Sequence, residues 1–125
     1  MMQAVAAIVI YAGLAGAAGV VLAAAGAHGE GYAALTPPAY FLLMHAAAAL
    51  AIAALAPRAA HPGGLLLAAL ILLAGVSLFS GDIAVRTLQG HRLFPMAAPI
   101  GGSTMILGWL ILAGAGAWEA LAHRG

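Results

Sequence analysis

The stretch GLLLAALILLAGVSLFSG, residues 64–81, decides the class of fold. A helix that crosses the hydrocarbon core of a bilayer needs about 20 mostly apolar residues. This stretch has no charged residue, and its apolar and polar residues do not alternate as they would in a transmembrane β-strand. We therefore predict a membrane-spanning helix over residues 64–82, and its continuation to residue 88 stays open.

Three further apolar runs flank this stretch, and each is long enough to cross a bilayer. They cover residues 4–27, 38–56 and 99–121. The first run is longer than the apolar core of a signal peptide and no basic residue precedes it, so we expect it to be retained. The predicted fold is all-α. We expect residues 1–125 to form a single integral membrane domain, a transmembrane bundle of four helices with short connections.

The composition supports lipid as the solvent of this chain. Charged residues make up 6% of it, against about 25% in a soluble domain. The four basic residues are scattered arginines, which excludes nucleic-acid binding through the phosphate backbone. Cysteine is absent, which excludes disulfides and thiolate metal ligands. The predicted partner is the lipid bilayer.

Small residues are expected to hold the helices together, because apolar surface alone drives no association in lipid. The chain has 17 glycines. In the first helix Ala15, Gly19 and Ala23 recur at four-residue spacing, which predicts a place at the bundle centre. The leucines of the third helix predict a lipid-facing flank, and we expect Trp109, in the middle of the fourth run, to pack inside.

Polar residues collect at one end of the predicted bundle, since four spans place the first and third connections on one side. That end holds His28, Glu30, His45, Asp82, Arg86, His91 and Arg92. His45 lies about two turns inside the second helix, roughly 10 Å deep, and an ionisable residue within a span is a candidate for function. Asp82 and Arg86 are spaced i,i+4 and can form an ion pair.

The stretch from Phe94 to Gly102 is predicted to be irregular at this end, because Pro99 lacks the N–H that would bond to the carbonyl of Pro95. Irregular backbone at membrane depth is tolerated where protein buries it or where it lines a water-filled cavity. A helix that begins after Pro99 would point free N–H groups at such a cavity and favour an anion.

Three interpretations of these polar residues stay open. They can be contacts between helices, with His45 bonded near Ser80 or the Pro95–Gly102 backbone. They can form a site for a small solute or ion, in a channel or transporter that acts as a homo-oligomer. They can bind haem or copper, for which the candidate ligands are His28, His45, His91, Met44 and Met96. We favour the first, with no metal and no cofactor, and the absence of hydrolase, zinc-protease and phosphate-loop motifs predicts no enzymatic activity.

Four motifs in order resemble the YgdD-like family, small bacterial inner-membrane proteins of unknown function. They are Gly26-Ala27-His28, Tyr40-x4-His45, Leu78-Phe79-Ser80-Gly81 and Pro99-Ile100-Gly101-Gly102 followed by Gly108-Trp109. The similarity covers nearly the whole chain and implies four transmembrane helices without supplying an activity. It points to His28, His45, Ser80, Gly81, Pro99, Gly101 and Gly102 as the positions of interest.

The predicted function is that of an integral membrane protein without catalytic activity, a structural or accessory component of the bacterial inner membrane. It would act in a homo-oligomer or a larger membrane complex. Arginines divide evenly between the two sides, Arg58 and Arg124 against Arg86 and Arg92, so the positive-inside rule gives a tie. Members of the family that the chain resembles are basic on the side of the termini, which predicts cytoplasmic termini.

Overall fold

The computed structural model describes residues 1–124 and is all-α, as predicted. Its four long helices are α1 Met2–His28, α2 Thr36–Leu55, α3 Pro62–Gln89 and α4 Ala97–Ala122. Single 3-10 turns, Ala33–Leu35 and Ala56–Arg58, precede and follow α2. All four helices are long and apolar enough to cross a membrane, and residues 1–124 contain no strand.

Local chemistry explains where α3 begins and ends. Pro62 occupies its first turn, where a missing N–H costs no helical hydrogen bond. Seven residues beyond Asp82 the helix reaches Gln89, and Gly90 then takes a left-handed conformation with φ 80°. The N–H of Gly90 donates to the carbonyl of Arg86 at 3.0 Å, which closes the last turn. Asp82 and Arg86 therefore both lie inside the helix.

The start of α4 differs from the prediction. The helix begins at Ala97, so Pro99 and Gly102 are helical and the irregular segment ends at Met96, whose φ is 69°. Pro99 lies in the first turn, where its missing N–H would have had no helical partner. The N–H of Ala97 donates to the carbonyl of Phe94. Few N–H groups are therefore left to bind an anion at this helix end.

Consecutive helices pack side by side: α1 on α2, α2 on α3, and α3 on α4, while α1 also touches α3. The prediction of a central α1 is wrong, because α2 and α3 are the most buried helices and α1 and α4 flank them. Small residues let backbones approach, yet they bring little side-chain surface to a core. The larger side chains of α3 fill the space between the helices instead.

The leucines of α3 accordingly divide between the core and the predicted lipid-facing flank, where Leu67 is 50% exposed. Leu65, Leu72, Leu73 and Val76 are buried, whereas Leu70 is 53% exposed. Trp109 departs from the prediction only in part, since 44% of it is exposed while its indole N–H reaches His45 of α2.

Glycines bring α3 and α4 into backbone contact. A Cβ added at Gly101 would lie 2.5 Å from the backbone N of Phe79 and 2.8 Å from the carbonyl oxygen of Gly75. A Cβ at Gly108 would lie 2.8 Å from a methyl group of Leu72. The predicted Gly/Ala packing therefore operates where the last two helices cross, and also between α1 and α2, where a Cβ at Gly19 would lie 3.1 Å from the carbonyl oxygen of Ala39.

Candidate functional site

Asp82 stabilises the connection between α3 and α4. Its carboxylate is 1% exposed, and Oδ1 accepts the backbone N–H of Leu93 at 2.8 Å. Oδ2 lies 3.9 Å from a guanidinium nitrogen of Arg86, in the i,i+4 pair that the sequence predicted. A buried carboxylate needs such partners, because a lone charge in an apolar interior is costly. The sequence did not reveal the Leu93 contact, which involves only a backbone group.

Beside this pair lies a groove between α3 and α4 with a volume of about 630 Å³. Arg86, Arg92, Pro99 and Gly102 line it together with Asp82. We call it the arginine groove. Two of the positions of interest, Pro99 and Gly102, therefore meet three residues of the predicted polar end, Asp82, Arg86 and Arg92, at one place.

His45 is buried in α2 and bonds to a neighbouring helix, although not to the predicted one. Its Nδ1–H donates to the carbonyl of Phe41 at 2.8 Å, and its Nε2 accepts the indole N–H of Trp109 at 3.1 Å. A carbonyl can only accept and an indole N–H can only donate, so this arrangement requires the neutral ring with the proton on Nδ1. The predicted partners, Ser80 and the Pro95–Gly102 backbone, are replaced by Trp109.

Ser80 makes its own contact between helices. Its hydroxyl is fully buried and donates to the carbonyl of Pro38 at 2.8 Å, which ties α3 to the start of α2. Gly101 serves the α3–α4 backbone contact, whereas a Cβ added at Gly81 would meet only a methyl group of Leu93, at 3.9 Å.

The other two histidines of the predicted polar end, His28 and His91, do not lie beside His45. His28 is exposed at the end of α1, and His91 is exposed in the α3–α4 connection, where it bonds to Gln89 and to the carbonyl of Arg92. Met44 and Met96 are 54% and 57% exposed. Within residues 1–124 no three His, Cys, Asp or Glu side chains are grouped so that they could hold a metal ion.

The sequence gives no indication of two further polar contacts. At the opposite end of the molecule, Glu119 accepts the backbone N–H groups of Ala60 and His61, at 2.8 and 2.6 Å. Tyr11 of α1 bonds to Ser77 of α3. Because the Ser77 hydroxyl already donates to the carbonyl of Leu73, the tyrosine is the donor. Nothing in the local sequence pairs these distant positions, and both partners of Glu119 are backbone groups.

The polar residues of the helices thus act chemically as paired donors and acceptors. In the described part of the chain, every buried side-chain nitrogen or oxygen has a hydrogen-bond partner. The exposed guanidinium groups of the arginine groove are among the groups that still offer unused hydrogen-bonding capacity.

Comparison with known proteins assigns the chain to a family. No solved structure matches it. The sequence pattern of a family described as "Protein of unknown function (DUF423)" matches residues 15–102, more than two thirds of the chain. The match extends from the middle of α1 to the first turns of α4 and so includes Ser80, Asp82 and Gly101. The chain belongs to the DUF423 family.

Proposed function

We propose that this protein is a structural or accessory component of a membrane, with no catalytic activity of its own. One observation carries the proposal: each polar side chain buried within the helices already has a hydrogen-bond partner inside the protein. His45 meets Trp109, Ser80 meets Pro38, and Asp82 meets Leu93. A catalytic or transport site keeps polar groups available for its substrate, whereas these groups hold the helices and one connection in place.

Assembly with further chains is part of the proposal, either as a homo-oligomer or within a larger membrane complex. The helix α4 packs almost entirely on α3, which leaves its remaining surface for lipid or for another chain. On that surface Gly114 and Gly116 have no neighbour within 4 Å of an added Cβ. Small exposed residues allow a second helix to approach closely.

We further assign the chain to the YgdD-like proteins of the bacterial inner membrane. The order of its four motifs supports this assignment, and so does the number of its membrane-compatible helices.

The purified protein is expected to be colourless and to retain no stoichiometric transition metal. The Nε2 of His45 accepts from Trp109, and the methionines that could assist it are exposed. Absorbance spectroscopy and metal analysis after dialysis check this expectation. A Soret band, or about one copper per chain, would instead support a redox protein.

Reconstituted vesicles are expected to pass ions and small solutes no faster than vesicles without the protein. The reason is that no buried polar atom of the described residues is left to line a path. Stopped-flow flux assays with Na⁺, K⁺, H⁺, fluoride and small organic solutes measure this. Protein-dependent flux that saturates with solute would contradict the proposal and favour a channel or transporter.

Both termini are expected in the cytoplasm. The arginines give a tie, Arg58 and Arg124 against Arg86 and Arg92, and the resemblance to the YgdD-like proteins, which are basic on the side of the termini, favours the cytoplasm. A C-terminal alkaline phosphatase fusion should therefore be inactive and a green fluorescent protein fusion fluorescent. The reverse pattern would place the termini outside, and activity of both would indicate dual topology.

A further inference from the structure

The arginine groove has a charge that its own residues do not balance. Arg92 is exposed and has no acidic partner in residues 1–124, and Arg86 reaches Asp82 only at 3.9 Å. The other oxygen of Asp82 is occupied by the N–H of Leu93. Two guanidinium groups therefore face a single carboxylate, and the mouth of the groove is net positive.

The groove becomes apolar away from this mouth. Phe79, Ile83 and Ile106 line it, and Phe79 lies seven residues before Arg86, which is roughly 10 Å along a helix axis. Arg86 lies one turn from the end of α3. The positive mouth is consequently at the membrane surface, and the apolar part extends toward the membrane interior.

The surroundings keep this groove open to lipid. All of its lining residues lie in α3, in the α3–α4 connection or in α4, and none lies in α1 or α2. Its volume of about 630 Å³ is within the range of about 300–1,000 Å³ that is typical of small-ligand sites. That is room for a phosphate headgroup and the first part of an acyl chain.

We propose that the arginine groove binds an anionic phospholipid. The phosphate lies between Arg86 and Arg92, and an acyl chain follows Phe79, Ile83 and Ile106. Guanidinium groups bind phosphate through two parallel hydrogen bonds. Because the mouth is net positive, it favours a headgroup that lacks the compensating ammonium of phosphatidylcholine. The site goes beyond the proposed structural role, because it gives the protein a specific lipid ligand.

Native mass spectrometry of the protein released from nanodiscs with equal amounts of phosphatidylglycerol and phosphatidylcholine tests the proposal. The wild type is expected to retain mainly phosphatidylglycerol. The variant Arg92→Gln should retain about five-fold less, the factor that corresponds to about 1 kcal/mol for one basic residue near a membrane surface. The matched control is Arg58→Gln, an exposed arginine at the opposite end of the molecule, which should leave the retention unchanged.

A second variant tests the apolar part. Ile106 is 64% exposed, so Ile106→Trp should fold normally and yet obstruct the acyl chain, lowering phosphatidylglycerol retention. Thermal midpoints in detergent provide the comparison with a free anion: added phosphatidylglycerol should raise the midpoint, whereas millimolar inorganic phosphate should not. Equal retention of the two lipids, an equal loss in Arg58→Gln, or full protection by phosphate alone would each overturn the proposal.

Discussion

Replacing Gly101 by alanine is expected to destabilise the protein by about 1–3 kcal/mol, the usual cost of overpacking a well-packed interface. The added Cβ would lie 2.5 Å from the backbone N of Phe79 and 2.9 Å from its Cα. These are backbone atoms, so no side-chain rotation relieves the clash and the two helices must separate. Thermal unfolding in detergent, followed by circular dichroism, measures the loss.

The adjacent glycine provides the matched control. A Cβ at Gly102 would meet only the ring of Phe79, at 4.0 Å, an ordinary van der Waals distance. Alanine is favoured over glycine in a helix by up to about 1 kcal/mol, so Gly102→Ala should leave the stability unchanged or raise it slightly. Equal losses for the two variants would show that α3 and α4 do not cross at Gly101.

Replacing His45 by leucine is expected to cost about 1–2 kcal/mol, because it leaves the indole N–H of Trp109 without its acceptor. Polar contacts between membrane helices average about 0.6 kcal/mol, but His45 is only 4% exposed, so the lost acceptor is not readily replaced by water. Glutamine keeps a donor and an acceptor, so His45→Gln should cost less than His45→Leu. The thermal midpoints of the two variants decide this. If His45→Leu melted at the wild-type midpoint, the contact with Trp109 would not stabilise the fold.

The sequence predicts the existence and class of the helices well, because the length of an apolar run is a local property. Which helix lies at the centre was predicted wrongly. Small residues such as Ala15 and Gly19 indicate that helices can approach, but not how many neighbours they have. Burial of Leu72 and Val76 depends on the arrangement of all four helices, and no local pattern contains that information.

The candidate site is likewise predictable only in part, because local patterns are visible in the sequence and contacts between distant residues are not. The i,i+4 spacing of Asp82 and Arg86 is visible in one helix, and topology brought Arg92 to the same end. The bond between His45 and Trp109 joins residues 64 positions apart, so the sequence identified the histidine and missed its partner. The prediction of a break at Pro99 is wrong, because a proline in the first turn of a helix disturbs no hydrogen bond.

The central claim is that the polar groups inside the helices are contacts that hold the protein together. A double-mutant cycle on His45→Leu and Trp109→Phe tests it most directly, since phenylalanine removes the indole N–H while keeping an aromatic ring. If the contact stabilises the fold, the double variant should lose less stability than the sum of the two single losses, with a coupling of about 0.6–1.7 kcal/mol. Strictly additive losses would contradict the account.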